Sequence, residues 1–149
     1  MKIFILNCKH NKKRRDKIGT LLKKENLDYT IHTALYWKDV DFEENLSKHG
    51  MSVFKPKIGI KKGQVAVCAS SILMLEEMLK TGDEHILAFQ DDAGWDEGSL
   101  SKIIDLVEHD INTFPNIKEA DFLWLSGWAQ DNRGHDIEFG SSNWVIPRL

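Results

Sequence analysis

The spacing of apolar and polar positions changes several times along this chain, and each change predicts an element. KIFILN (2–7) is an apolar, β-branched run closed by Asn7 and predicts a strand. From about Lys13 to Glu25 the apolar residues Ile18, Leu21 and Leu22 fall on one side of a helix, and Asn26 can take the left-handed turn that ends it. DYTIHTAL (28–35) reads as a second strand. Residues 36–62 mix Asp, Glu, Lys, Gly and a Pro with little periodicity, the pattern of a long loop with one short helix at most; such loops inside compact domains are often functional.

From Gln64 to Lys80, Val65, Ala69, Ile72, Leu75 or Glu76, and Leu79 recur at helical spacing while Val67, Cys68, Leu73, Met74 and Met78 fill the other faces, so a mostly buried helix is expected, ended by Thr81-Gly82. HILAF (85–89) follows as a short interior strand. Ser99 is placed to cap a helix whose Leu100, Ile103, Ile104, Val107 and Ile111 form one stripe, stopped before Pro115. ADFLWLSG (120–127) reads as a further buried strand. Strands alternating with helices predict an α/β layer fold with a mostly parallel sheet, in a single domain spanning 1–149.

Open α/β sheets bind ligands beyond the carboxyl ends of their strands, and Asn7, Asp91, Asp92 and Ser126 stand at or near those ends. The pair Asp91-Asp92 is the sharpest feature. Two adjacent carboxylates repel, and unless both face bulk water, a cation or hydrogen-bond donors must hold them ionised. Hard oxygen ligands of this kind suit Mg²⁺ or Mn²⁺, which keep several waters and bridge to substrate phosphates. From spacing alone a solvated turn is the commoner outcome. Asp96 and Glu97 read as the polar first turn of the next helix, where negative charge meets the positive helix end. Arg14 or Arg15 lies just past the first strand, within reach of the same crevice, where a guanidinium can pair with a phosphate.

Composition narrows the classes. With 42% apolar and 29% charged residues in 149, the chain is an ordinary globular sequence able to bury a core. No apolar run approaches a membrane span, and the opening MKIFILNCKHNKKRR carries its charges after its apolar residues, the reverse of a secretory signal; a cytoplasmic location is expected. Cys8 and Cys68 read as free thiols, with only Cys8 and His10 close enough to suggest a metal pair. The net charge of −3 argues against general nucleic-acid binding, yet a basic block runs from Lys9 to Lys17 without interleaved aromatics. Gly59 and Gly63 match no phosphate-binding loop and read as turn residues. Neither a Gly-x-Ser-x-Gly elbow nor a His-Glu-x-x-His helix occurs. Trp95, Trp124, Trp128 and Trp144 read as core before sugar platforms, with Trp128, after a strand end, the one to watch.

Four stretches in order resemble glycosyltransferase family 25, the lipopolysaccharide-type and collagen-type galactosyltransferases. FILNCKHNKKRRDKI is similar to the family's opening strand and helix, with Asn7, Arg14 and Arg15 in its places. YTIHTALYW resembles the second strand, with Ala34 at the family's alanine. KKGQVAVCASSILMLEEML resembles the segment written Gly-Glu-Ile-Gly-Cys-x-x-Ser-His, with Gly63, Cys68 and Ser70 matching. HILAFQDDA resembles Leu-Glu-Asp-Asp-Ala, which puts Asp91 and Asp92 on the family's metal-binding acids.

The resemblance implies a glycosyltransferase A, Rossmann-like fold, a UDP-sugar donor (usually UDP-galactose), Mn²⁺ or Mg²⁺, a cell-surface glycan acceptor such as lipopolysaccharide, and transfer with inversion. It implies donor contacts from Asn7, Arg14, Arg15, Ser70 and Asp91. No nucleic-acid partner and no membrane span are expected, while peripheral membrane association stays open. Inversion needs a carboxylate base, for which Asp131 and, behind it, Asp136 are candidates. The departures are Gln90 for Glu, Ser71 for His and Ala66 for Gly, and the chain stops where the family continues toward its acceptor half. The alternative is therefore a degenerate or truncated relative that binds a nucleotide sugar without turnover.

Overall fold

The computed structural model describes residues 1–51 and 61–115, together with the backbone of 136–139 and 142–145. The chain divides into two compact units, Met1–Glu97 and Gly98–Leu149.

The first unit is built on a three-stranded parallel sheet in the order β2-β1-β3, with β1 at Lys2–Cys8, β2 at Thr30–Ala34 and β3 at Ile86–Gln90. Five consecutive residues of β1, Ile3 to Asn7, are buried. That follows from its central position: a parallel strand covered on both faces is apolar at every position, not at alternate ones. On one face Phe4 and Leu6 pack against Met74 and Met78, with Ala34 and Ile86 at the margin. By strand alternation Ile3, Ile5 and Asn7 point to the other face.

Helix α1 (Lys12–Lys24) buries Ile18, Gly19 and Leu22. It ends as its sequence predicts. Asn26 adopts φ 55°, Leu27 N–H reaches Leu22 C=O at 3.0 Å and Asn26 N–H reaches Lys23 C=O at 3.1 Å, so the last carbonyls are satisfied. Gly19 is required by a close approach, since a Cβ there would lie 2.5 Å from the Tyr29 hydroxyl oxygen.

After β2 comes the one short helix allowed for, α2 (Phe42–Lys48), whose Phe42 and Leu46 pack on Ala66 and Ala69 of the long helix α3 (Lys62–Lys80). Gln64 Oε1 accepts the Lys61 N–H at 2.9 Å, which caps the start of α3. Gly63 lies in the first turn of this helix and so serves no turn; Gly59 is outside the described residues.

Three expectations are corrected here. First, α3 buries Ala66, Ala69, Ser70, Met74 and Met78, while Ile72, Leu75 and Leu79 are exposed, so the buried face is rotated from the one read in the sequence. The helix is apolar on nearly every side, and such a pattern carries no direction. Second, β3 is less buried than an interior strand: Leu87 alone of its five residues is buried, and among the described residues it pairs with β1. Third, Ser99 does not cap the next helix. Gly98, at φ 78°, occupies the cap position before α4 (Ser99–Thr113), and that first turn holds no acid. Glu97 instead pairs with Lys24 at 2.7 Å, and Trp95 packs on Phe89 at 5.4 Å while donating to Glu25 at 2.8 Å.

In the second unit, α4 buries Leu100, Ile104, Val107 and Ile111 as the stripe predicts. An antiparallel pair, β4 (Asp136–Phe139) and β5 (Ser142–Val145), was not foreseen. The expected strand at 120–127 lies outside the described residues.

Candidate functional site

The chain leaves β1, passes through α1 and adds β2 on one side, then returns through α3 to add β3 on the other. The two chain directions diverge between β1 and β3, and at such a switch point the loops part and leave a crevice at the carboxyl ends of the strands. The register places Leu6 opposite Gln90, so Asn7 and Asp91 are the next residues out on their strands. Asp91 N–H continues the ladder to Leu6 C=O at 3.1 Å, which fixes its backbone.

Asn7 is 2% exposed and donates from Nδ2 to Asp91 Oδ2 at 2.6 Å, and at 3.4 Å to Asn11 C=O just before α1. Arg14, from the first turn of α1, directs Nη1 to Asp91 Oδ1 at 3.3 Å and to Asp92 Oδ2 at 3.7 Å. The Asp91 side chain is 9% exposed and that of Asp92 59%. One carboxylate is thus fixed on both oxygens and the other is open to solvent, and both converge on one positive group. A charge-assisted contact to a largely buried carboxylate is the stronger of the two kinds.

Two carboxylates are what a Mg²⁺-type ion commonly takes from a protein, the remainder coming from water and substrate phosphates. Among the described residues no group of three or more His, Cys, Asp or Glu gathers to hold a metal. The donor set is thus two carboxylates, compatible with a divalent cation that keeps other oxygen ligands.

The other residues singled out from the sequence separate. Arg15 turns away: its Nε lies 3.9 Å from Asp16 Oδ1, and it lines a recess of about 270 Å³ with Gly19, Thr20, Lys23 and Tyr29. One residue along a helix is a rotation of about 100°, enough to move a side chain off the crevice. Ser70 is fully buried in α3, where its Oγ accepts Leu35 N–H at 2.8 Å and donates to Ala66 C=O at 2.6 Å. Its hydroxyl ties the end of β2 to the helix. Ser71, in the place of the family's His, donates to Val67 C=O at 3.0 Å, and Gln90 is exposed at the end of β3. Asp131, Ser126 and Trp128 lie outside the described residues; Asp136 opens β4. Cys8 and Cys68 are free thiols.

A second polar group at this edge escaped the sequence reading. Asp39, in the loop after β2, holds Lys9 at 2.8 Å and His10 at 3.4 Å, and the His10 ring rests on Tyr36 at 4.6 Å between centroids. The hydrogen bond from Lys9 holds the Asp39 carboxyl below its ordinary value, and the reciprocal bond raises Lys9. The signal was the basic Lys9-His10 pair facing the Asp39-containing loop, but sequence separation hides such a pairing.

A model of glycosyltransferase family 25, described as a lipopolysaccharide biosynthesis protein, matches residues 1–139. Neither a curated protein nor a solved structure matches the chain. No helix among the described residues is long and apolar enough to cross a membrane.

Proposed function

The chain belongs to glycosyltransferase family 25, and from that premise we propose that it transfers a sugar, galactose from UDP-galactose, to a lipopolysaccharide glycan with inversion. The proposed fold is of the glycosyltransferase A type. The observation that supports this reading is the convergence of Asp91 and Asp92 on a single cationic group, with Asn7 beneath them, at the switch point of a parallel sheet.

In this reading Asp91 and Asp92 hold Mn²⁺ or Mg²⁺. When bound, the ion supplies Lewis-acid neutralisation of the charge that builds on the departing diphosphate. Asn7 orients Asp91 by donating to its Oδ2, the hydrogen bond that a carboxylate at 9% exposure needs. Arg14 keeps the acidic pair together and offers the same guanidinium to the diphosphate once the donor binds. The acceptor hydroxyl oxygen forms a bond to the anomeric carbon from the side opposite the leaving group. The bond from that carbon to the diphosphate oxygen breaks, UDP departs, and the hydroxyl proton passes to a carboxylate base, for which Asp131 is the candidate.

A second reading, donor binding without turnover, is favoured by Gln90 at the family's Glu and by the Ser70 hydroxyl being engaged on the backbone. Calorimetric titration of UDP with Mn²⁺ and with chelator, followed by an assay of UDP-galactose hydrolysis, tests both. Metal-dependent binding with release of galactose is expected. Binding without hydrolysis selects the second reading, and no binding under either condition removes both.

A further inference from the structure

We propose that the outer face of α1 docks on an anionic lipid surface and so holds the crevice beside the membrane. The segment from Lys9 to Lys24 carries eight basic side chains against one acid, a net +7 within a chain of net −3. Several of these charges are neutralised: Lys9 by Asp39, Arg14 by Asp91 and Asp92, Lys24 by Glu97. Lys12, Lys13, Lys17 and Lys23 are exposed and have no ion-pair partner among the described residues.

Helical spacing puts these four on the half of α1 opposite the buried Ile18 and Leu22. They extend from the first turn to the last, about 16 Å at 1.5 Å per residue. Uncompensated like charges along a surface helix are unfavourable for the free protein, and a plane of negative charge relieves all four at once. A plane suits this face better than a nucleic acid does. The face is the outer side of one helix, and the recess at its edge, lined by Arg15, Lys23 and Tyr29, is about 270 Å³, too short to track a strand. Tyr29, a ring beside it, has its hydroxyl laid over Gly19 and not presented for stacking. Juxtamembrane lysines each contribute attraction to anionic lipid that fades within a Debye length, so a flat array acts together.

Lys13 directly precedes Arg14, whose guanidinium touches both acids of the crevice, so the docked face lies within one helical turn of the site. The inference rests on the charge distribution and not on the donor reading. Family membership agrees with it, since a lipopolysaccharide is by its chemistry lipid-borne.

The test is co-sedimentation of the full chain with vesicles of phosphatidylcholine, and of phosphatidylcholine mixed with phosphatidylglycerol, at low and high salt. Binding only to the mixed vesicles, lost at high salt, is expected. Lys12→Gln, Lys13→Gln, Lys17→Gln and Lys23→Gln combined should weaken partitioning by about fivefold per lysine removed, while Lys48→Gln with Lys80→Gln, away from this face, should not. Equal binding to neutral vesicles, no binding to either, or unchanged binding by the fourfold variant overturns the proposal. Tighter binding of an oligo-dT strand than of mixed vesicles at the same salt also overturns it, in favour of nucleic acid. Should the fourfold variant fail to fold by circular dichroism, lipid selectivity and salt dependence of the unaltered chain still decide. UDP titration is run in parallel and needs no lipid, so the two proposals fail separately.

Discussion

Asn7 and Ser70 are both buried polar side chains close to the carboxyl edge of one sheet, yet the β1–β3 junction and the β2–α3 junction use them in opposite ways. Asn7 spends its amide on a carboxylate 84 residues away, and that carboxylate retains the means to meet a ligand. Ser70 spends its hydroxyl on two backbone groups, Leu35 N–H and Ala66 C=O, and keeps its donor for neither solvent nor substrate. Equal burial therefore says nothing about role. The partner decides: a side chain bonded to backbone secures the scaffold, and one bonded to an ionisable group sets the chemistry of a site.

Breaking the first junction should have the largest effect. Asp92→Ala leaves a solvent-exposed position with little packing to lose, so the protein should fold while metal-dependent UDP affinity falls by about a hundredfold or more. Unchanged calorimetric affinity would sink the role of the acidic pair. Asn7→Ala should act on both levels. It strips a nearly buried carboxylate of its closest donor, which costs about 1–3 kcal/mol in denaturant unfolding and about 10–100-fold in UDP affinity.

Ser70→Ala sharpens the contrast from the other side. It leaves Leu35 N–H without its acceptor, so stability should fall by about 1–3 kcal/mol while UDP affinity of the folded protein stays as it was. A loss of affinity without a loss of stability would return Ser70 to the donor site.

The smallest effect is expected at Asp39, whose side chain is 23% exposed and whose partner Lys9 is largely in solvent. Its folded carboxyl is held below the unfolded value by Lys9. The contribution is therefore present above the ordinary carboxylate range, near pH 4, and lost as pH falls through the lowered folded value. Thermal unfolding followed from neutral to acid pH should show a small decline there that Asp39→Asn removes. The raised Lys9 gives the mirror image: its contribution is present below the ordinary lysine value and lost as pH rises through the raised one.

Much of this first unit was legible before any coordinates. An uninterrupted apolar run predicted β1, which the sheet then placed at its centre, and Asn26 marked the end of α1 because few residues other than Gly accept a left-handed backbone. Asp91 and Asp92 stood out because charge abruptly ended an apolar strand, and the order of elements put that strand's end at a crevice. Ser70 was legible as a family position but not as a backbone clamp, since its two partners come from different elements.

What the sequence by itself determined is therefore the local and periodic: which segments are strands or helices, where α1 stops, and that acids emerge beyond β3. Tertiary structure alone decided rotation and partnership. It selected Arg14 over Arg15 for the crevice, because adjacent helix residues point about 100° apart and only docking sets the phase. It chose Met74 and Met78 over Ile72 and Leu75 as the buried side of α3, because a helix apolar all round has no preferred face until a sheet is laid against it. It also joined Asn7 to Asp91, a pairing of residues far apart in the chain that exists only because β1 and β3 lie in parallel register.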